Sequence, residues 1–162
     1  MSVTTIQTLT INPAFLQEIK NDNQQLRQLL GQLDGVCPAS RPVLPDPERL
    51  VELLGQLRDQ IAFHFSLEEA YGYFDDPTSI EAGVGERAEQ LRAQHASLYQ
   101  EIADLADYGE QWLRSKLGRS RKLSLARLVM AIHQFRERLQ RHEDSEDELI
   151  WMAYQLDIGG RG

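Results

Sequence analysis

Apolar positions recur along most of this chain at helical spacing, and almost nowhere do they alternate as a half-buried strand would require. Phe15, Ile19, Leu26, Leu30 and Leu33 keep the period to about Asp34, behind an Asn12-Pro13 pair that offers a cap and then proline at the first helical position. A second stripe follows Asp46-Pro47 through Leu50, Leu53, Leu57, Ile61, His64, Glu68 and Tyr71. It should stop near Asp75-Asp76-Pro77, because proline disfavours helix in the residue before it. Ala88, Leu91, His95, Leu98, Ile102 and Leu105 form a third stripe that reaches about Lys116, and Phe135, Leu139, His142, Glu146 and Leu149 form a fourth. The pattern predicts helices over about 13–34, 46–75, 84–116 and 122–156, with residues 1–11 as an N-terminal arm. Short and moderate links between such helices make the expected fold class all-α, a single antiparallel up-down-up-down four-helix bundle.

Each stripe is broken near its middle by residues that do not belong on a core face. The interruptions are Asn23, the pair His64 and Glu68, His95, and the pair His142 and Glu146. An uncompensated buried ion costs on the order of several kcal/mol, so these positions need a compensating partner. His64 and Glu68 are spaced i, i+4, as are His142 and Glu146, which places each pair on one helix face a turn apart. If the turn near position 120 is the pivot, His95 and His142 lie about equally far from it and should sit at similar depth. A cation between the helices would compensate all of these groups together. Mixed imidazole and carboxylate donors suit iron, manganese or zinc better than calcium or magnesium. The candidate ligands are therefore His64, Glu68, His95, His142 and Glu146, with Asn23, Tyr71, Tyr99 and Asp147 as further candidates. The alternative is that the same side chains satisfy one another through hydrogen bonds or line a wet crevice.

Composition narrows the partners. The formal charge of −8 and pI near 5.0 argue against nucleic acid or an anionic membrane as partner and leave small ligands, cations or proteins open. No stretch approaches the roughly 18 consecutive apolar residues that span a bilayer, and Met1 to Ile6 lacks a basic region followed by an apolar run, so the cytoplasm is the expected location. Cys37 is the one cysteine, in a Gly- and Pro-flanked segment away from the stripes, and reads as an ordinary reduced thiol. His133 and Trp151 are each nine positions from His142 and should point away from it, while Trp112 reads as packing. Of the acidic run from Glu143 to Glu148, only Glu146 and Asp147 are expected to look inward. The basic cluster Arg114 to Lys122 reads as a solvated helix end.

These motifs together resemble a known family. His64-Phe65-Ser66-Leu67-Glu68-Glu69 is similar to the second-helix stretch of hemerythrin-like HHE cation-binding domains, and His142 through Glu146-Asp147 to its last-helix counterpart. Gln94-His95-Ala96-Ser97-Leu98 resembles the third-helix histidine segment, and Asn21 to Leu30 the first-helix segment. The resemblance covers nearly the whole chain. It implies a non-haem, carboxylate-bridged di-iron centre in which Glu68 and Glu146 bridge, with Asp147 as a substitute for Glu146. His64 would serve one iron, and His95 and His142 the other. Implied activities are binding or sensing of oxygen, nitric oxide or peroxide, or iron handling, by a metal- and ligand-binding protein rather than a dedicated enzyme. Two positions depart from the family pattern: Asn23 stands where a histidine is usual, and Leu91 where oxygen carriers have a second histidine on that helix. A single ion, or manganese or zinc in place of iron, is therefore kept open. The contrasting expectation is a degenerate, metal-free helical bundle that acts as an interaction or structural module.

Overall fold

Four helices, and among the described residues no strand, make up the structure: α1 Pro13–Val36, α2 Pro47–Tyr71, α3 Ala82–Arg114 and α4 Ser120–Gly159. This computed structural model describes the backbone of residues 13–41, 44–72, 82–115 and 120–159, and the side chains of 23–41, 44–70, 72, 83–115, 124–153 and 155. The expected N-terminal arm, the Asn12 cap and the Asp75-Asp76-Pro77 stop lie outside the described residues, as do the side chains of Phe15 and Ile19. The arrangement is all-helical and consistent with a four-helix bundle.

The helix ends have local causes. Asp46 is extended, with φ −61° and ψ 118°, and Pro47 follows it, as a start needs. The Asp46 side chain makes no capping hydrogen bond, and its carbonyl accepts the Leu50 amide at 3.0 Å instead. The second helix ends at Tyr71, earlier than its sequence predicts, because Gly72 leaves the helical region with φ +67° and ψ 169°. That conformation is open almost only to glycine, so Gly72 stops the helix before the proline can. The third and fourth helices each begin two residues before their expected starts.

Contacts between helices follow a regular order. Along α3 and α4, Arg87 meets Glu148 at 3.7 Å, Gln94 meets His142 at 2.8 Å, and Glu101 meets Arg138 at 3.0 Å, so rising numbers on one helix pair with falling numbers on the other. Asp34 of α1 holds Arg136 of α4 at 2.7 Å, and Arg49 of α2 donates to Gln32 of α1 at 2.9 Å. Gly109 marks a close approach between α3 and α2. A Cβ there would meet Val51 Cγ2 at 3.1 Å, a contact that a χ1-stiff valine cannot easily relieve.

The core is split. A large apolar cluster joins Leu26, Leu30 and Leu33 to Leu50 through Phe65, Leu98 through Trp112 and Leu125 through Leu139. A smaller one joins Val84, Ala88 and Leu91 of α3 to Leu149 and Ala153 of α4. On α3, His95 lies between the two clusters, and on α4, His142 and Glu146 do. The polar interruptions of the stripes thus form one layer that divides the core. Cys37, expected away from the core, is instead buried in the large cluster. Its thiol donates to the Leu33 carbonyl at 3.4 Å, and burial together with the Asp34 charge pushes its pKa up to about 11. It is a packing thiol, protonated at neutral pH.

Phe135 is fully buried in the large cluster, whereas Trp151 is 62% exposed on the same helix. Phe135→Ala should therefore cost about 3–5 kcal/mol of unfolding free energy in a denaturant titration. Trp151→Ala should stay within about 0.5 kcal/mol of the parent.

Candidate metal centre

Each polar residue of the dividing layer arrives from the period of its own helix. About 3.6 residues per turn bring His64 and Glu68 to one face of α2, and His142 and Glu146 to one face of α4, while α3 contributes His95. All five are buried, and Glu68 is 0% exposed. His95 and His142 stand at one depth, with ring centroids 5.1 Å apart at 70°.

Glu68 sits at the centre. Its Oε1 is 2.7 Å from His64 Nε2, and its Oε2 is 2.9 Å from His95 Nε2. Glu146 Oε1 lies 2.6 Å from His142 Nε2 and 3.8 Å from His95 Nε2. One donor atom from each of Glu68, His95, His142 and Glu146 falls within 4.8 Å of all the others, so these four can hold a metal ion. Yet both oxygens of Glu68, His95 Nε2 and His142 Nε2 are buried without a hydrogen bond. The distances are short enough for one, so it is the angles that fail. Buried polar groups that crowd together without hydrogen-bond alignment are poorly explained as mutual partners. Donors aimed at a shared central point account for the same geometry.

The imidazoles are held by their other nitrogens. Gln94 Oε1 lies 2.8 Å from His142 Nδ1; an amide oxygen only accepts, so Nδ1 carries the proton and Nε2 keeps its lone pair. Glu69 Oε1 stands 3.4 Å from His95 Nδ1 in the same sense. Outer partners of this kind fix ring orientation and tautomer in metal sites. Phe65 closes one side: it stacks on His95 with centroids 4.1 Å apart at 9°, and meets His142 edge-on at 5.6 Å. A groove of about 270 Å³ between α3 and α4 reaches His142 and is lined by Gln94, Ser97, Leu98, Arg138 and Arg141 among others.

Electrostatics follow from that packing. Burial disfavours the charged form of His95, but the carboxylates of Glu146 and Glu68 outweigh it and push its pKa up from 6.5 to about 9. Burial likewise disfavours ionised Glu146, but His142 and His95 hold its carboxyl well below the usual carboxylate range. Without metal, protons on the imidazoles take the place of the cation.

The further candidates separate. Asp147 is exposed, and its acid is weakened by partial burial and the Glu146 charge, so Glu146 is the inward carboxylate and Asp147 is not gathered with it. Tyr99 is 41% exposed and stands at the surface, because one turn beyond His95 the face has already rotated toward solvent. Asn23 is half-buried on α1, and the Tyr71 side chain lies outside the described residues. His133 packs on the outer side, its Nε2 3.0 Å from the Cys37 carbonyl oxygen. Sequence reasoning passed over Gln94, Glu69 and the stacking role of Phe65. Gln94 and Glu69 each adjoin a stripe residue, but on a helix a neighbour points about 100° away, so periodicity gives them no weight. No family model matches this chain, and no curated protein or solved structure matches it.

A stability signature follows for the metal-free protein. His95 has a folded pKa of about 9 against an ordinary 6.5, so its contribution is complete below 6.5 and is lost as pH rises through 9. The melting temperature of chelator-treated protein should fall between those pH values, and His95→Ala should flatten the dependence. An unchanged profile in the variant would show that another group controls it.

Proposed function

We propose that the chain is a hemerythrin-like metal-binding protein: an antiparallel up-down-up-down bundle with a carboxylate-bridged di-iron centre that binds or senses oxygen, nitric oxide or peroxide, or handles iron. The observation that carries this reading is the buried Glu68 carboxylate, which turns one oxygen toward His64 and the other toward His95 while neither forms a hydrogen bond. A carboxylate that divides its oxygens between two imidazole groups is placed to bridge two cations. His95, His142, Glu146 and Glu68 Oε2 would hold one ion, and His64 with Glu68 Oε1 would contribute to the second. The opposed contact order of α3 and α4 supports the antiparallel arrangement.

Iron bound there would supply reversible coordination of a small ligand and exchange of electrons with it. The chain's own residues determine access and polarity. Phe65 keeps bulk water from the His95 and His142 rings. The groove between α3 and α4 leads to the His142 edge past Gln94, with room for a diatomic molecule or peroxide. Gln94 at His142 Nδ1 offers a hydrogen-bonded link from the ligand nitrogen's ring to the groove. With imidazole absent at Asn23 and Leu91, fewer nitrogens surround the ions, which favours ligand exchange over storage of a stable oxygen complex.

Chelator-stripped protein titrated with Fe(II) under anaerobic conditions should take up iron. Free metal at about one hundred times its dissociation constant should stabilise the fold by about 2.7 kcal/mol. His142→Ala should lose most of that metal-dependent gain while it still folds without metal. If replete wild-type protein holds no metal by elemental analysis, the proposal fails and a metal-free interaction module becomes the better reading.

A further inference from the structure

Glu143 is left unexplained by the five-ligand cluster. It is half-buried, but its Oε1 is sealed from water and has no hydrogen-bond partner. Sequence periodicity places it on the solvated side of α4, since it sits one position beyond the inward His142. The helix is, however, flanked by α1 as well as α3. Arg136, seven positions earlier and hence two turns away on the same face, is bound to Asp34 of α1 at 2.7 Å. Glu143 therefore lies on the face of α4 that looks toward α1, and Arg27, seven positions before Asp34, lies on the corresponding face of α1. The charges of His64, Glu146, Arg136 and Arg27 all reach the Glu143 carboxyl. His64 is thus among its neighbours across the layer.

Resting on the di-metal reading above, we propose that Glu143 is a ligand of the second cation, alongside His64 and Glu68 Oε1. The four-donor group of Glu68, His95, His142 and Glu146 accounts for one ion without it. On the far side of Glu68, His64 and Glu68 Oε1 supply two donors, 2.7 Å apart, and Glu68 is completely buried with no hydrogen bond on that oxygen. Two donors are too few for a transition-metal site, which takes three or four protein ligands. A sealed carboxylate oxygen without a partner, on a neighbouring helix, is the missing kind of donor. A hard oxygen ligand at this position also replaces charge as well as coordination where α1 carries Asn23 in place of an imidazole. The second position would accordingly be richer in oxygen than the first, and bind its ion more weakly.

The test counts metal rather than activity. Full-length wild type, Glu143→Gln and His64→Ala are stripped, loaded anaerobically with Fe(II), desalted and assayed by elemental analysis, with circular dichroism to establish folding. Wild type should retain about two irons per chain and Glu143→Gln about one, matching His64→Ala. Glu143→Asp, which keeps the charge one methylene short, should retain an intermediate amount and serves as the second variant if the glutamine form does not fold. Two irons in both wild type and Glu143→Gln, with unchanged affinity, would overturn the role of Glu143 and leave the di-iron reading intact. One iron in both would overturn it together with the second position. No iron in wild type would remove the metal-binding proposal itself.

Discussion

Two carboxylates are buried at the centre of this molecule, and everything near them is arranged around the charge they carry. An ionised carboxylate taken out of water loses solvation worth several kcal/mol even after the protein relaxes, on the order of what the whole fold retains as net stability. Glu68 and Glu146 face that cost together, a short distance apart, with like charge. Positive charge must therefore be present in the layer at all times, as protons on imidazole or as a metal ion. The elevated pKa of His95, about 9, is the protonic form of this requirement. The unaligned contacts of Glu68 and His142 show that protons meet it incompletely, since they leave buried oxygens and nitrogens without hydrogen bonds.

The same requirement explains why the core is divided. Leucine and isoleucine fill the bundle from Leu26 to Leu139, and a second, smaller group of small and branched side chains closes the other end. A continuous apolar core would give the larger hydrophobic gain, because stabilisation scales with the apolar area removed from water. The chain instead interposes a polar layer contributed by three helices. The small cluster has little apolar surface of its own, so its attachment depends on the layer above it. Charge compensation in the layer and retention of that end of the bundle are one problem.

Much of this was legible in the sequence, and what escaped has a common cause. The stripes located all four helices because the 3.6-residue period is strong over long segments, and the polar breaks in them named His64, Glu68, His95, His142 and Glu146 before any coordinates. The equal depth of His95 and His142 also followed from counting residues to the turn. A one-dimensional period assigns each helix a single inward face. In the structure α4 has two, one toward α3 with His142 and Glu146, and one toward α1 with Arg136 and Glu143. Glu143 was therefore set aside as solvated, and Asp147 and Tyr99 were retained although they emerge at the surface. Cys37 was misplaced for a related reason. It follows the helical segment, but it remains within reach of the Leu33 carbonyl and so stays in the core. The early end of α2 at Gly72 is a backbone property, invisible to any hydrophobic pattern.

The contrast between the two ends of Glu68 bears on what kind of chemistry the layer can support. Toward α3 and α4, the imidazoles are clamped at their outer nitrogens by Gln94 and Glu69 and walled by Phe65. Such a shell fixes ligand direction, which favours a single coordination geometry and disfavours exchange. On the His64 side the surrounding groups are carboxylates and an arginine on α1, more polar and nearer the surface. A cation there would feel a higher local dielectric and fewer constraints, so it would bind less tightly and exchange its remaining ligands more readily. A pair of positions with unequal hold on their ions is better suited to taking up and releasing a small ligand than to retaining one. Ligand exchange would then be concentrated at the α1 side, where the departure at Asn23 also lies, while the α3 and α4 side keeps the layer charge-compensated throughout.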